Sequence, residues 1–159
     1  MIKQIMAAAG LVLTCSVAVA QDATIDLPQG LACDGFALRI EIWGNPHRVY
    51  REFLDKNGNV VRFIDAGRGN ELVFTNLTTG STYALKANGS VSQTRVNPDG
   101  SQQWSIEGHY VLIWFPTDNP PGPWTRQFIG RATFSVDSSG TFNNLNATGR
   151  QVDICAAVS

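Results

Sequence analysis

The residues best placed for acid–base chemistry are Glu107 and His109, which lie two positions apart in a predicted strand. Side chains at that spacing share a strand face about 7 Å apart, so a carboxylate would stand beside an imidazole. Gly108 between them indicates a β-bulge as readily as a site. A solvent-facing strand is the preferred interpretation. An enzyme that uses Glu107, His109 or Asp118 is the alternative, and it requires those groups to converge in one pocket.

Other catalytic and metal-binding patterns are absent from the sequence. It contains no G-x-S-x-G elbow, no phosphate-binding loop and no H-E-x-x-H motif. Its two histidines do not combine with cysteines at a zinc-binding spacing. Asp55, Asn57 and Asn59 alternate like the start of a calcium loop, but Gly58 precedes Asn59 instead of following it. We therefore predict no metal and no cofactor, and we assign no catalytic residue.

Aromatic residues are the stronger signal for binding. Trp104, Tyr110 and Trp114 alternate along one face of a predicted strand. A small barrel lined by aromatic rings can hold one apolar ligand, although its own side chains can also fill it. Trp124 follows the proline-rich residues 116–123, where it could stack on a sugar or anchor a protein. We predict these four aromatic residues as the ligand-binding set.

The elements that would position these residues are β-strands. Phe36, Leu38 and Ile40 alternate with charged residues, which is the period of a half-buried strand. Further strands pair as hairpins around glycine-containing turns. The predicted hairpins join residues 49–54 to 60–64, 71–76 to 82–88, 91–96 to 102–108 and 132–136 to 141–147. A short helical turn is predicted within residues 152–158.

The fold class follows from this run of hairpins. An open meander of about eight strands would leave two unpaired edges, which invite aggregation. We therefore predict an all-β antiparallel meander that closes into a single barrel, with a two-sheet β-sandwich as the alternative. Residues 110–115 are apolar on both faces, so one face would meet the interior. The other would be covered by the proline loop or by residues 21–32.

Export and a disulfide are predicted from the chain's start and its cysteines. Lys3, the apolar residues 5–19 and the small residues before Gln21 read as a signal peptide over residues 1–20. Residues 21–159 would then form a single β domain outside the cytoplasm, extracellular or periplasmic. Cys33 and Cys155 remain in it and are predicted to bond.

Composition limits the partners. Charged residues make up 16% of the chain and the formal net charge is −1, so electrostatics gives no reason to bind nucleic acid. The apolar run near the start is short for a membrane span, which needs about 20 residues. No further segment approaches that length.

Three short segments carry a resemblance, together with the leader. They are residues 32–36 (ACDGF), the turn at residues 97–100 (NPDG) and the end at residues 152–159 (VDICAAVS). With these features the chain resembles small uncharacterised exported bacterial proteins that have a cysteine near each end of a hairpin meander. The resemblance implies export and one disulfide, and it implies no activity.

These observations favour a non-enzymatic role. We predict a secreted β-barrel binding or structural module that could hold a small apolar ligand. One alternative is a secreted enzyme built on the residues considered first. The other is a protein- or glycan-interaction module that presents the proline loop and Trp124.

Overall fold

The computed structural model describes residues 21–44, 47–86 and 88–159. The predicted signal peptide, residues 1–20, lies outside the described residues. The elements in chain order are β1 (Ala23–Leu27), β2 (Leu38–Trp43), β3 (Arg48–Leu54), β4 (Val60–Arg68), β5 (Glu71–Asn76), β6 (Thr82–Leu85), β7 (Gly89–Val96), β8 (Gln102–Trp114), β9 (Trp124–Val136), β10 (Phe142–Asp153) and α1 (Ile154–Ala157). No helix within the described ranges has the length and hydrophobicity needed to cross a bilayer.

The four predicted hairpins are confirmed as β3–β4, β5–β6, β7–β8 and β9–β10. Their turns share one feature, a glycine near the end of the loop that takes a positive φ. In the β3–β4 turn Gly58 has φ +85° and its N–H donates to the carbonyl of Asp55. A side chain would strain that conformation, so glycine fixes where the strands reverse. The predicted helical turn is α1.

The closed barrel is wrong. The strands form two antiparallel sheets, one ordered β1-β2-β5-β6 and the other β10-β9-β8-β7-β4-β3. The β5–β6 hairpin leaves the meander to pair with β2, and β7 returns to pair with β4. Among the described strands, β3 and β10 are the edges of the six-stranded sheet and do not pair with each other. The two-sheet arrangement given as the alternative fits this topology.

Burial of apolar residues explains why the β5–β6 hairpin pairs with β2 instead of continuing the six-stranded sheet. Leu38 and Ile40 on β2 and Phe74 on β5 are buried, and Ile40 lies directly opposite Phe74. Val111 and Ile113 on β8 pack against this cluster from the six-stranded sheet. The four-stranded sheet is therefore the cover that the apolar residues 110–115 require. Residues 21–32 contribute to it through Leu27 and Ala32, whereas the proline loop does not.

The predicted disulfide is confirmed. Cys33 and Cys155 are bonded, with their Cα atoms 5.6 Å apart across a sequence separation of 122 residues. Cys33 is buried in the inter-sheet core beside Ile154 and Val158. The bond therefore fastens α1 to the segment between β1 and β2.

The register through Gly108 has no bulge. β8 pairs with β9 without interruption from Gln102 to Trp114. Gly108 has φ +102°, and a Cβ there would lie 2.4 Å from the carbonyl oxygen of Gly89. A close approach of β7 to β8, and not an extra residue, is the reason for glycine at this position.

Candidate functional site

The four predicted ligand-binding aromatics lie on one face of the six-stranded sheet, here called the aromatic face. Trp114 is fully buried, and its indole N–H donates to the carbonyl of Pro120 at 2.8 Å. Trp124 stacks on Trp114 with ring centroids 5.2 Å apart. Trp104 is partly buried and its indole N–H donates to Gln102. Trp114 and Trp124 thus fill the space around each other, which leaves their role as ligand contacts a prediction.

These rings belong to a longer row that the sequence reasoning recognised only in part. Consecutive ring centroids in the row lie 5.2–6.3 Å apart, within the range of favourable aromatic pairs. In order, the rings are those of Tyr50, Phe63, Trp104, Phe134, Phe142, Trp114, Trp124, Phe128 and Tyr110. The phenylalanines were missed because alternation was followed along β8 alone. The signal was available in β9, where Phe128 and Phe134 also alternate.

The three residues of the enzyme alternative do not converge. Glu107 is exposed on the face opposite the aromatic row, 3.6 Å from the Nε atom of Arg131. Asp118 is buried in the proline loop, where its carboxylate accepts hydrogen bonds from the backbone N–H groups of Phe115 and Phe142. Those bonds tie the loop to β10, which is a structural role. His109 is therefore left without a carboxylate partner from this set.

His109 and Tyr110 instead meet at a cavity beside β8. The pairing of β7 with β8 ends at Ser90 opposite Gly108, so residues 109–114 pair with β9 alone. A cavity of about 210 Å³ lies beside this segment. A hydrogen bond from the Gly69 N–H to the carbonyl of Asn88 joins two of its walls.

Two residues of the cavity lining, His109 and Tyr110, each hold a buried polar atom without a partner among the described residues. Nδ1 of His109 and the hydroxyl of Tyr110 are buried, and neither forms a hydrogen bond within the described part of the chain. A buried polar atom without a partner costs about 1–3 kcal/mol. Burial also raises the pKa of Tyr110 to about 12, so its hydroxyl stays a neutral donor. Two adjacent residues therefore bear the cost of unpaired groups at one cavity.

The cationic groups at the cavity are one lysine and one ion-paired arginine. Arg48 and Lys86 line it, and no aspartate or glutamate does. Arg48 is held by Asp65, with Nη2 and Oδ2 2.6 Å apart and both side chains about three-tenths exposed. Amide and hydroxyl groups from Asn88, Ser90 and Gln127 complete the polar part of the lining. The cavity thus offers hydrogen-bond donors and the ammonium group of Lys86 to a ligand rich in acceptor oxygens.

Sequence reasoning found His109 and Tyr110 but placed neither at this cavity. Arg48 lies on β3, Ser90 on β7 and Lys86 just after β6. Their proximity depends on how the hairpins pair and on how the two sheets pack. Nothing in the local pattern identifies them. Among the described residues, no group of three or more histidine, cysteine, aspartate or glutamate side chains could hold a metal ion.

Comparison with protein-family models, with curated proteins and with solved structures finds no match for this chain.

Proposed function

We propose that this protein is a binding module that takes a small carboxylate-bearing polar ligand in the cavity beside β8. The observation that carries the proposal is that two adjacent residues lining one cavity, His109 and Tyr110, each hold a buried polar atom without a hydrogen-bond partner among the described residues. Native proteins pair most of their buried polar groups, so unpaired ones at a cavity mark it as a place where a ligand supplies the missing bonds. The ammonium group of Lys86 favours a ligand with negative charge, whereas the charge of Arg48 is already paired with Asp65.

The size of the cavity limits the ligand. Pockets for drug-sized molecules span about 300–1,000 Å³, whereas this one is about 210 Å³. A single hexuronic acid is small enough for this volume, and its oxygens suit the polar part of the lining. The ligand differs from the small apolar one expected from the sequence, because the aromatic rings that were to line its site pack on each other.

Glucuronate and glucose are matched probes for this proposal, since they differ in the carboxylate. We expect glucuronate to raise the thermal midpoint, by an amount equivalent to about 2.7 kcal/mol at a hundredfold excess over its Kd. Glucose should give little stabilisation. Equal stabilisation by both sugars would remove the carboxylate from the proposal, and no stabilisation by glucuronate would overturn it.

Two conservative variants locate the ligand. Tyr110→Phe removes the unpaired hydroxyl and should abolish the shift given by glucuronate. Tyr83→Phe is the matched control, because Tyr83 packs against the inter-sheet core and does not line the cavity. The control should keep the full shift.

We also propose that the protein acts outside the cytoplasm, in the periplasm or the extracellular space. The Cys33–Cys155 disulfide supports this location, because such bonds persist in oxidising compartments. Fractionation of cells that express the full chain tests it. Retention of the protein in the cytoplasm with free thiols would contradict it.

A further inference from the structure

A second polar surface lies on the opposite side of the six-stranded sheet from the aromatic face. Phe63 and Trp104 contact each other on the aromatic face, so their neighbours Arg62 and Gln103 point the other way. The register places Arg62 directly opposite Arg95, and Arg95 opposite Gln103. Gln93, Ser105 and Thr133 form the next row. We call these six residues the polar platform, and they line a depression of about 300 Å³.

The two arginines of the platform are uncompensated. Like charges directly opposite each other on neighbouring strands are destabilising. Neither Arg62 nor Arg95 forms an ion pair within the described residues, whereas Arg131 on the same sheet has Glu107. The repulsion between them is relieved when an anion binds across both.

The Arg62 side chain is also held in place. Its guanidinium carbon lies 3.9 Å from the centroid of the Phe53 ring, a cation–π contact that leaves the edge of the guanidinium free to donate. A positioned arginine loses less side-chain entropy when it binds a carboxylate or sulfate. Arg62 is thus prepared to bind an anionic group.

The remaining side chains indicate what kind of molecule carries that anion. Protein interfaces are anchored by buried aromatic and aliphatic residues at their centre. The platform presents amides and hydroxyls beside its two arginines. Of its aromatic neighbours, Phe53 contacts Arg62 and Trp104 points to the opposite face. Amides and hydroxyls suit the many hydroxyl groups of a sugar chain.

We propose that the polar platform binds an anionic polysaccharide, with Arg62 and Arg95 contacting its carboxylate or sulfate groups and the glutamines its hydroxyls. The site is separate from the cavity beside β8 and does not depend on a ligand there. The two sites share no residue.

The test is binding of the full mature chain to polygalacturonate, a carboxylated polysaccharide, and to dextran sulfate, a sulfated one. Dextran is the neutral control. Binding to at least one of the two anionic polysaccharides, and none to dextran, is expected. The polysaccharide that binds more tightly shows whether the platform prefers carboxylate or sulfate groups. Binding should weaken between about 0.1 M and about 1 M NaCl, since the screening length falls from about 10 Å to about 3 Å.

Variants of equal charge distinguish a site from general electrostatics. Arg62→Gln and Arg95→Gln should each weaken binding about tenfold or more, as expected for loss of a charge-assisted contact. Arg150→Gln removes the same charge from an exposed residue of β10 and should change affinity less than twofold. Equal losses in all three variants would overturn the proposal. So would binding of poly-glutamate as tight as that of the polysaccharide, which would assign the platform to acidic proteins.

Discussion

Replacing Tyr110 with phenylalanine should make the unliganded protein more stable. The substitution removes one oxygen atom, and the ring keeps its stacking on Phe128, with centroids 5.4 Å apart and planes 7° apart. The hydroxyl that disappears is buried and unpaired. Its desolvation is therefore a cost to the folded state that no hydrogen bond repays.

The expected gain follows from that cost. An unpaired buried hydroxyl destabilises by about 1–3 kcal/mol, and Tyr110→Phe recovers up to this amount. For a chain of this length, 1 kcal/mol shifts the thermal midpoint by about 3–4 °C. We expect a rise of about 3–10 °C in the variant, together with loss of the response to glucuronate. A gain in stability with a loss of binding is typical of a residue retained for function.

Calorimetry and urea denaturation of the wild type, Tyr110→Phe and Tyr83→Phe measure this directly. Tyr83 is partly buried in the inter-sheet core, and its hydroxyl is not a buried, unpaired group. Its variant should show no gain. A lower midpoint for Tyr110→Phe than for the wild type would show that the hydroxyl is hydrogen-bonded in solution. That result would refute the reasoning that leads to the cavity.

Three further predictions concern the fold. Opening the Cys33–Cys155 bond by paired alanine substitution should cost up to about 5 kcal/mol, because the bond spans 122 residues; urea curves with unchanged midpoints would contradict this. Gly130→Ala should lower the free energy of unfolding by at least about 2 kcal/mol, because φ is +149° there and the new Cβ would lie 2.3 Å from the carbonyl oxygen of Thr148. Gly35→Ala is the control: it has open space around it and should be nearly neutral in the same urea denaturation assay. Hydrogen bonds, first of all the one from the Ser139 hydroxyl, lower the pKa of Asp137 below its ordinary value of 3.8. The charged carboxylate therefore stabilises the folded state above that pH, and this contribution is lost as the pH falls below it. Asp137→Asn should flatten the acid side of the stability curve, and superimposable curves would argue against this.

The hairpins were predictable because their signals are local. The turn of residues 137–141 shows this, since Asp137 accepts backbone hydrogen bonds from Ser139 and Thr141 while Gly140 takes φ +90°. Each of these features involves residues at most four apart. Alternation then fixes which side chains share a face. The residue types of a short stretch of sequence are therefore enough to predict a hairpin.

Pairing between hairpins was not predictable in the same way. β4 could pair with β5, which follows it in sequence, or with β7. The alternation of apolar and polar residues is compatible with either pairing. The choice depends on whether Phe74 gains more by packing beside Ile40 than by lining a closed barrel, which is a property of the whole core. The expectation that unpaired edge strands would force the sheet to close was also too strong. β3 remains an edge strand, and its exposed Arg51 and Glu52 are the kind of charged residue that discourages edge-to-edge association.

The departure of the β5–β6 hairpin, which makes the barrel wrong, also creates the cavity. In a closed meander each strand would have a partner along its whole length, and β8 would be covered on both sides as far as Trp114. Because β7 enters the sheet only at Gly89, β8 loses its second partner beyond Gly108. His109 and Tyr110 are the first two residues past that point, and this is where side chains from both faces can reach one space. The unpaired stretch of β8 and the cavity beside it therefore have one cause, which is the topology that assigns the hairpin to the other sheet.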